Sequence, residues 1–511
     1  MSSSLIIPLD ALKLTIDLAD LEIPEIAVAQ RNILGQPRAQ SALEFGITMP
    51  NPGYNVFVMG ESGLGRLSMI THHLNELSLN LPTPCSYAYV DNFANQREPH
   101  AIQLPPGYGE RFCNDIEALI DNILVTFPAV FESPSYQQKK SAIERSFNQL
   151  YNSAINLVEK RARAHDVALF RDNENITFAP FINNKSLDED QFLELPQAER
   201  DAFHDNVEEL EEYLNEALLD LPQWRRETVE KTKQLDHDTI KLAIAPLFAE
   251  LDKKYQGIED ACRYLSTIKE NLNIIVADYL LPTRALEVSH NPAKRSLLTE
   301  FYLPNILVDY QQDCGAPVIF EPHPTYQNLF GRIEYISDQG ALVTNYRRIC
   351  PGSLHKANGG YLIVDAEKVL TYPFVWEGIK RALQLGCIEI ESPYSDLGIN
   401  TVTLKPENIP LNIKIILVGS RDIYYLLEER DSEFNEMFKV LADFDSYIPL
   451  NRESTQQFAL RMIKHATDTR AKPLSKSAIR RLIENSCRLS EHQHHLSAHI
   501  NDSLDIVSEA Q

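Results

Sequence analysis

The segment "GESGLGR" at residues 60–66 has the residue types and spacing of an anion cradle. Gly60, Gly63 and Gly65 let the backbone turn tightly, so that successive N–H groups and the start of a following helix can face a phosphate. Glu61, Ser62 and Leu64 complete the loop, and Arg66 brings a positive charge where such loops ordinarily carry Lys. Arginine offers a wide planar fork rather than a compact point charge. Leu67 stands where a Ser or Thr hydroxyl would meet Mg²⁺, so that part of the chemistry is missing. Ser68 lies one residue on, about a third of a helical turn away, and is a poor substitute. An apolar run precedes the loop and a helix-like pattern follows it, which is the context a phosphate loop needs. The alternative is a glycine-rich strand–helix turn that binds nothing.

A second group is acidic. Asp365 ends the apolar run "GGYLIVD", where a carboxylate could hold Mg²⁺ through water. The residue after it is Ala366, not a Glu able to polarise an attacking water, and Glu367 comes one place late. Asp365 is equally suited to cap the helix that starts beside it. A third group, "EHQHHLSAH", holds His492, His494, His495 and His499. His495 and His499 would share one face of a helix, a spacing that can bind metal, but no carboxylate or cysteine obviously completes a set, and a solvated polar face is expected.

The elements that must position these residues are short apolar runs separated by helical patterns. "YNVFVM" (54–59), "SYAYVD" (86–91), "GYLIVD" (360–365) and "IKIILVG" (413–419) suit strands buried on both faces, hence a parallel sheet in an α/β protein. Between the second and third runs the pattern becomes helical. Ile143, Phe147, Leu150, Ala154 and Leu157 step by four and three, as do Phe203, Val207, Leu210, Leu214, Ala217 and Leu221, which predicts two heptad seams. "ALFRDNENITFAPF" (168–181) between them reads as a hairpin around D-N-E-N. Pro222 is expected to kink the second helix, which resumes near Trp224. Residues 452–511 contain no strand-like run and read as three short helices.

Composition narrows the partners. The 511 residues carry 48 basic and 72 acidic side chains, a net charge of −24. This argues against general nucleic-acid binding and against docking on anionic membranes. No apolar run approaches the roughly 18 residues of a membrane helix. The seven cysteines show no C-x-x-C spacing and are odd in number, so reduced thiols and a cytoplasmic location are expected. The first twenty residues lack a basic n-region and do not read as a signal peptide.

From about residue 30 onward the chain resembles the Lon-related AAA+ ATP-dependent proteases, in the branch with a long helical insertion. The blocks "ILGQPRAQSALEFGI", "GYNVFVMGESGLGR", "PTYQNLFGRIEY", "PGSLHKANGGYLIVDAEKVL" and "FKVLADFD" carry the likeness. The resemblance implies an AAA+ P-loop NTPase: a parallel-sheet core at 34–129 and 286–451, after an N-terminal extension at 1–33. An inserted helical coiled-coil arm at 130–285 and a C-terminal helical lid at 452–511 complete the layout. It implies ATP and Mg²⁺ as ligands, the latter weakened here, and a homo-oligomeric, usually hexameric, ring. Such a ring unfolds protein substrates and threads them toward a Ser-Lys peptidase domain.

Residue by residue, the resemblance places Gly35 and Gln36 near adenine, Gly60 to Arg66 around the phosphates, and Asp365 at the acidic strand end. Ser420, in "LVGSR", matches the polar residue that watches the γ-phosphate. Tyr326, Leu329 and Phe330 match the region facing the ring pore, with ordinary core packing as the alternative. Lys439 is the cation that "NEMFKV" offers in place of an arginine finger. "CIEIESPYSDLGINTVTL" (387–404) matches an inserted hairpin. Three departures weaken hydrolysis: Leu67, Ala366, and His499 where the family tends to have Arg. No segment of the 511 residues resembles the Ser-Lys motif, so a peptidase would sit on further chain or a partner, or be lost. Two functions remain open: an ATP-driven protein-unfolding motor, and an AAA+ scaffold that binds nucleotide and proteins without significant turnover.

Overall fold

The computed structural model describes residue 14 and residues 35–172, 175–182, 185–186, 196–275, 291–338, 341–390 and 404–510. The rest of the N-terminal extension, the stretch 276–290 and most of the expected hairpin, 391–403, lie outside the described residues. The chain forms two compact units. One comprises Met1–Ile116, Ile258–Ala261 and Glu300–Gln511; the other comprises Glu117–Gly257 and Cys262–Thr299.

The first unit is built on five parallel strands: β1 (Val56–Met59), β2 (Val318–Glu321), β3 (Tyr361–Asp365), β4 (Lys414–Gly419) and β5 (Val440–Asp443). Their order is β5-β1-β4-β3-β2. Alternate residues enter opposite cores, as the two-residue period of a strand requires. Val56, Val58, Ile363, Ile416 and Ala442 face one cluster with helices α1 (Pro37–Thr48) and α2 (Arg66–Ser78). Phe57, Leu362, Val364, Ile415 and Leu417 face the other, with the helices at Ala366–Thr371 and Val375–Leu385. Burial on both faces is why β1, β3 and β4 read as unbroken apolar runs.

The fourth apolar run behaves differently. Ser86–Val90 is the middle strand of a separate antiparallel sheet, between His100–Leu104 and Asn305–Val308. It is covered on both sides like a parallel strand, and an apolar run records burial rather than the direction of its neighbours.

The lid consists of α3 (Arg452–Asp468), α4 (Lys476–Leu489) and α5 (Ile500–Glu509). Phe458, Met462, Ile479, Ile483 and Val507 join the first cluster of the parallel sheet. A short strand, His495–Ser497, pairs antiparallel with Tyr447–Pro449 just beyond β5, so this tail is tied back to the sheet. His495 therefore lies in a strand and shares no helical face with His499.

In the second unit the long helix Pro134–Ala164 packs against Gln197–Ala217 and Leu221–Lys254. Its buried stripe is Ala154, Ile155, Val158 and Ala162, whereas Leu150 and Leu157 are 47% and 56% exposed. The first expected seam is thus displaced by about one residue. Pro222 sits in the first turn of Leu221–Lys254 and starts that helix rather than kinking the one before it. The hairpin pairs Val167–Asp172 with Asn175–Ile182. Among the described residues no helix is long and apolar enough to cross a membrane.

Candidate functional site

Strand register gathers the site at the carboxyl ends of the parallel strands, where open α/β sheets place their ligands. Val418 of β4 pairs with Val58 of β1 and with Asp365 of β3. Met59 pairs with Gly419 on one side and Asp443 on the other. The loop that leaves Met59 is therefore flanked by Asp365, Ser420 and Asp443 without any side chain having to reach far.

The loop itself is shaped by its glycines. Gly63 and Gly65 hold φ angles of 89° and 70°, left-handed values that L side chains rarely adopt. A Cβ on Gly60 would stand 3.0 Å from Arg66 Cδ and Phe444 Cβ, so the first loop position tolerates no side chain without a shift. Leu64 is fully buried and pins the loop's middle to the core, while Glu61, Ser62 and Gly63 are exposed. Gly65 is the N-cap of α2, which has neither a side-chain cap nor an acidic residue in its first turn. The first N–H groups of a 13-residue helix thus remain open to an anion, on the positive end of its dipole.

The charged groups around the loop are tied to one another. Arg66 Nη1 donates to the carbonyl of Gly419, so the guanidinium turns back toward β4. Burial pushes its pKa below the ordinary arginine value, opposed by the charges of Asp365 and Glu367. Glu367, one place late for the acidic strand end, is thus still within electrostatic reach of Arg66. Asp365 Oδ1 accepts from the Lys368 N–H at 3.0 Å and caps the helix Ala366–Thr371. Ala366 is 1% exposed and packs beside Gly419. Leu67 packs its partly buried side chain against the apolar cluster beneath α2.

The lid closes on the loop from the far side. His499 Nε2 lies 3.3 Å from Glu61 Oε2, and its Nδ1 lies 3.2 Å from where a Gly63 Cβ would be. A hydrogen bond from Ser446, and then His499, hold the Glu61 carboxyl below its usual range, with Arg421 adding a favourable charge.

Other expected site residues are placed elsewhere or otherwise employed. Gln36 is buried, and its side chain makes a two-way pairing with the Asp445 backbone: Nε2 to the carbonyl at 2.7 Å, and the amide to Oε1 at 2.9 Å. Gly35, at φ 63°, presses on Ile448. Both shape the wall beside β5, with the Gln36 amide spent on backbone. Lys439 precedes β5 at the opposite edge of the sheet, over the Tyr54 ring, so this chain does not bring it to its own loop. Leu329 and Phe330 are buried, and Tyr326 stacks on Phe330 at 4.5 Å. Leu329 and Phe330 are thus spent on core packing, and Tyr326 is half-buried against them. The histidines hold no metal set: among the described residues no three His, Cys, Asp or Glu side chains are grouped to bind an ion. Residues that the motif reading passed over are Arg421, Asp443, Ser446 and Asn501. Arg421 and Asp443 stand at the ends of apolar strands, the one signal that could have found them.

The fit to ligands divides. A polyphosphate suits the open glycine backbone and uncapped helix start. Mg²⁺ suits it less well, because Leu67 offers no oxygen and Asp365 spends Oδ1 on a helix cap.

Family models match three segments: a LonB-like AAA domain over residues 314–445, a Lon-like LonC helical domain over 86–119, and an archaeal LonB AAA+ ATPase lid domain over 473–511. The chain is 27% identical over 168 residues to a Lon protease homolog of Haemophilus influenzae, covering 32% of this chain and 26% of the relative. It is 26% identical over 109 residues to a Lon protease homolog of Escherichia coli, covering 21% and 18%. The matched chain therefore spans only about a quarter and a fifth of those relatives. Among solved structures, NtrX from Brucella abortus in complex with ADP is similar at 13% identity, with a TM-score of 0.25 over 51% of this chain and 65% of that one.

Proposed function

We propose that this chain, which Lon-like AAA and lid family models match, is a nucleotide-binding module of the Lon-related AAA+ type that takes ATP at the loop Gly60–Arg66 and acts on protein substrates within a homo-oligomeric ring. The observation that carries the reading is the open backbone cradle: left-handed Gly63 and Gly65 leading into an uncapped helix at the switch point of a parallel sheet. The loop N–H groups and the start of α2 hold the phosphates, Arg66 adds positive charge, and His499 brings the lid to the same loop. When bound, ATP supplies a terminal phosphate whose presence the loop and lid can register. A motor of this type would work together with a peptidase domain or partner, in the cytoplasm.

A second reading, a scaffold that binds nucleotide with little turnover, has observations of its own. Hydrolysis needs charge stabilisation around the transferred phosphoryl group and an oriented water. Leu67 faces the apolar cluster, Ala366 is buried, and Asp365 caps a helix, so three positions that serve this chemistry elsewhere serve packing or capping here. Loss of one transition-state group costs on the order of 10²–10³ in rate. Slow turnover is the consequence we expect.

The test is a titration of a fluorescent ATP analogue into the purified chain. Saturable binding is expected in the wild type, and its loss is expected in Gly65→Val, which puts a β-branched residue at φ 70° in the cradle. Equal binding by Gly65→Val, or none by the wild type, would reduce the loop to a structural turn.

A further inference from the structure

We infer that Arg421 is the cation that contacts the terminal phosphate of a nucleoside triphosphate in this site, and that Asp443 holds it over the loop until nucleotide arrives. The assignment rests on the nucleotide reading above and adds to it a determinant of triphosphate over diphosphate. Its basis is the strand order. β1 lies between β4 and β5, and Met59 at its end pairs with Gly419 and with Asp443. Arg421 follows β4 by two residues, and its Nη2 lies 3.2 Å from Asp443 Oδ1 at the end of β5. The pair therefore spans the end of β1, where the phosphate loop begins.

Reach and availability point the same way. Arg421 is close enough to bear on the charge of Glu61, within the loop itself. The loop's own cation is committed: Arg66 donates to Gly419 and faces Asp365 and Glu367. Arg421, by contrast, has a side chain 45% exposed in a pair whose partner is 29% exposed. Exposed ion pairs are weak in water, so a polyphosphate with more charge and paired oxygens can draw the guanidinium from one carboxylate. The chain then gains a positive charge on the terminal phosphate without a metal-binding hydroxyl at Leu67. The γ-phosphate is what a diphosphate lacks, so this interaction acts on ATP and spares ADP.

The experiment compares fluorescent ATP and ADP analogues on the full chain, in EDTA and in Mg²⁺, for the wild type, Arg421→Ala, Arg421→Lys and Asp443→Asn. Removing one charge-assisted hydrogen bond to a ligand changes affinity roughly tenfold. Arg421→Ala is expected to weaken ATP about tenfold and ADP less than about twofold, with Arg421→Lys between. Asp443→Asn, which releases Arg421, is expected to tighten ATP a few-fold. Thermal unfolding midpoints of the variants separate this from misfolding, and Asp443→Asn tests the same interaction with the arginine intact. Binding of neither nucleotide by the wild type overturns the nucleotide reading and this assignment together. Normal wild-type binding with an unchanged ATP-to-ADP ratio in both Arg421→Ala and Asp443→Asn overturns this assignment alone.

Discussion

Two segments leave the carboxyl ends of parallel strands and run straight into helices, and they do opposite things. After β1, residues 60–65 stay open: three glycines, two left-handed, and a helix start with no cap. After β2, residues 322–330 close up: Thr325 caps the short helix Tyr326–Phe330 through the Asn328 N–H, and Leu329 and Phe330 sink into the core. Phe330 lies so near Gly378 that a Cβ there would stand 2.8 Å from its ring. The first segment works through its backbone, which needs only conformational freedom. The second was expected to work through aromatic side chains, which need exposure, and packing has buried Phe330 and half-covered Tyr326. A short motif thus shows which functional groups are present, and the surroundings decide which of them face solvent.

The sharpest way to break this contrast is Phe330→Ala. A buried aromatic exchanged for alanine costs about 3–5 kcal/mol, and urea unfolding should report a loss of that size. An unchanged midpoint would mean that the ring spends its time outside the core, free to grip a chain. The position after β3 gives a smaller effect of the same kind. Ala366→Glu supplies the carboxylate that hydrolysis would use to polarise water. With Ala366 buried against Gly419, it should instead cost about 1–3 kcal/mol through overpacking and leave ATP turnover no faster. A gain in turnover without loss of stability would show that the site can open toward the loop.

A finer probe lies inside the open segment. Leu67→Thr adds the missing hydroxyl and removes apolar packing against the cluster beneath α2. Nucleotide affinity should become a few-fold more dependent on Mg²⁺, with about 1 kcal/mol of stability lost. Titrations in EDTA and in Mg²⁺ measure the first effect, and denaturant midpoints the second. No change in metal dependence would mean that residue 67 does not face the bound phosphates.

Much of the frame was legible because its signals are local. The strand–glycine loop–helix unit at 55–78 needs only the apolar run, the glycines and the amphipathic stretch after them. The apolar runs at 360–365 and 413–419 became β3 and β4 for the same reason. What was not legible depends on partners. "SYAYVD" has the composition of a central parallel strand, yet its neighbours run antiparallel. In Pro134–Ala164 two apolar stripes that share Ala154 compete, and the helices packed against it chose the one through Ile155 and Val158 over the one through Leu150 and Leu157. Pro222 was compatible with a kink or a start, and the turn at Leu218–Leu221 made it a start. Arg421 and Asp443 meet only because β4 and β5 flank β1, an order that no spacing in the sequence states.

The smallest expected effect tests the opposite edge of the sheet. Lys439 is four residues from Asp443, yet it precedes β5 while Asp443 ends it. A strand rises about 3.3 Å per residue, so the two lie roughly 13 Å apart along it. Lys439 sits over Tyr54, beside Gly53, Asn55 and Lys414, in a cleft at the amino edge. At that distance an exposed charge is largely screened at physiological ionic strength. Lys439→Ala should therefore shift the chain's own ATP affinity less than about twofold and its stability by about 0.5 kcal/mol or less. If Lys439 instead serves the site of a neighbouring copy, the same substitution should leave binding intact at low protein concentration and lower ATP turnover only when the chain is concentrated enough to assemble. Measuring affinity and turnover against protein concentration separates the cases. A large loss of affinity in dilute monomer would mean that the two edges of the sheet communicate far more strongly than their separation allows.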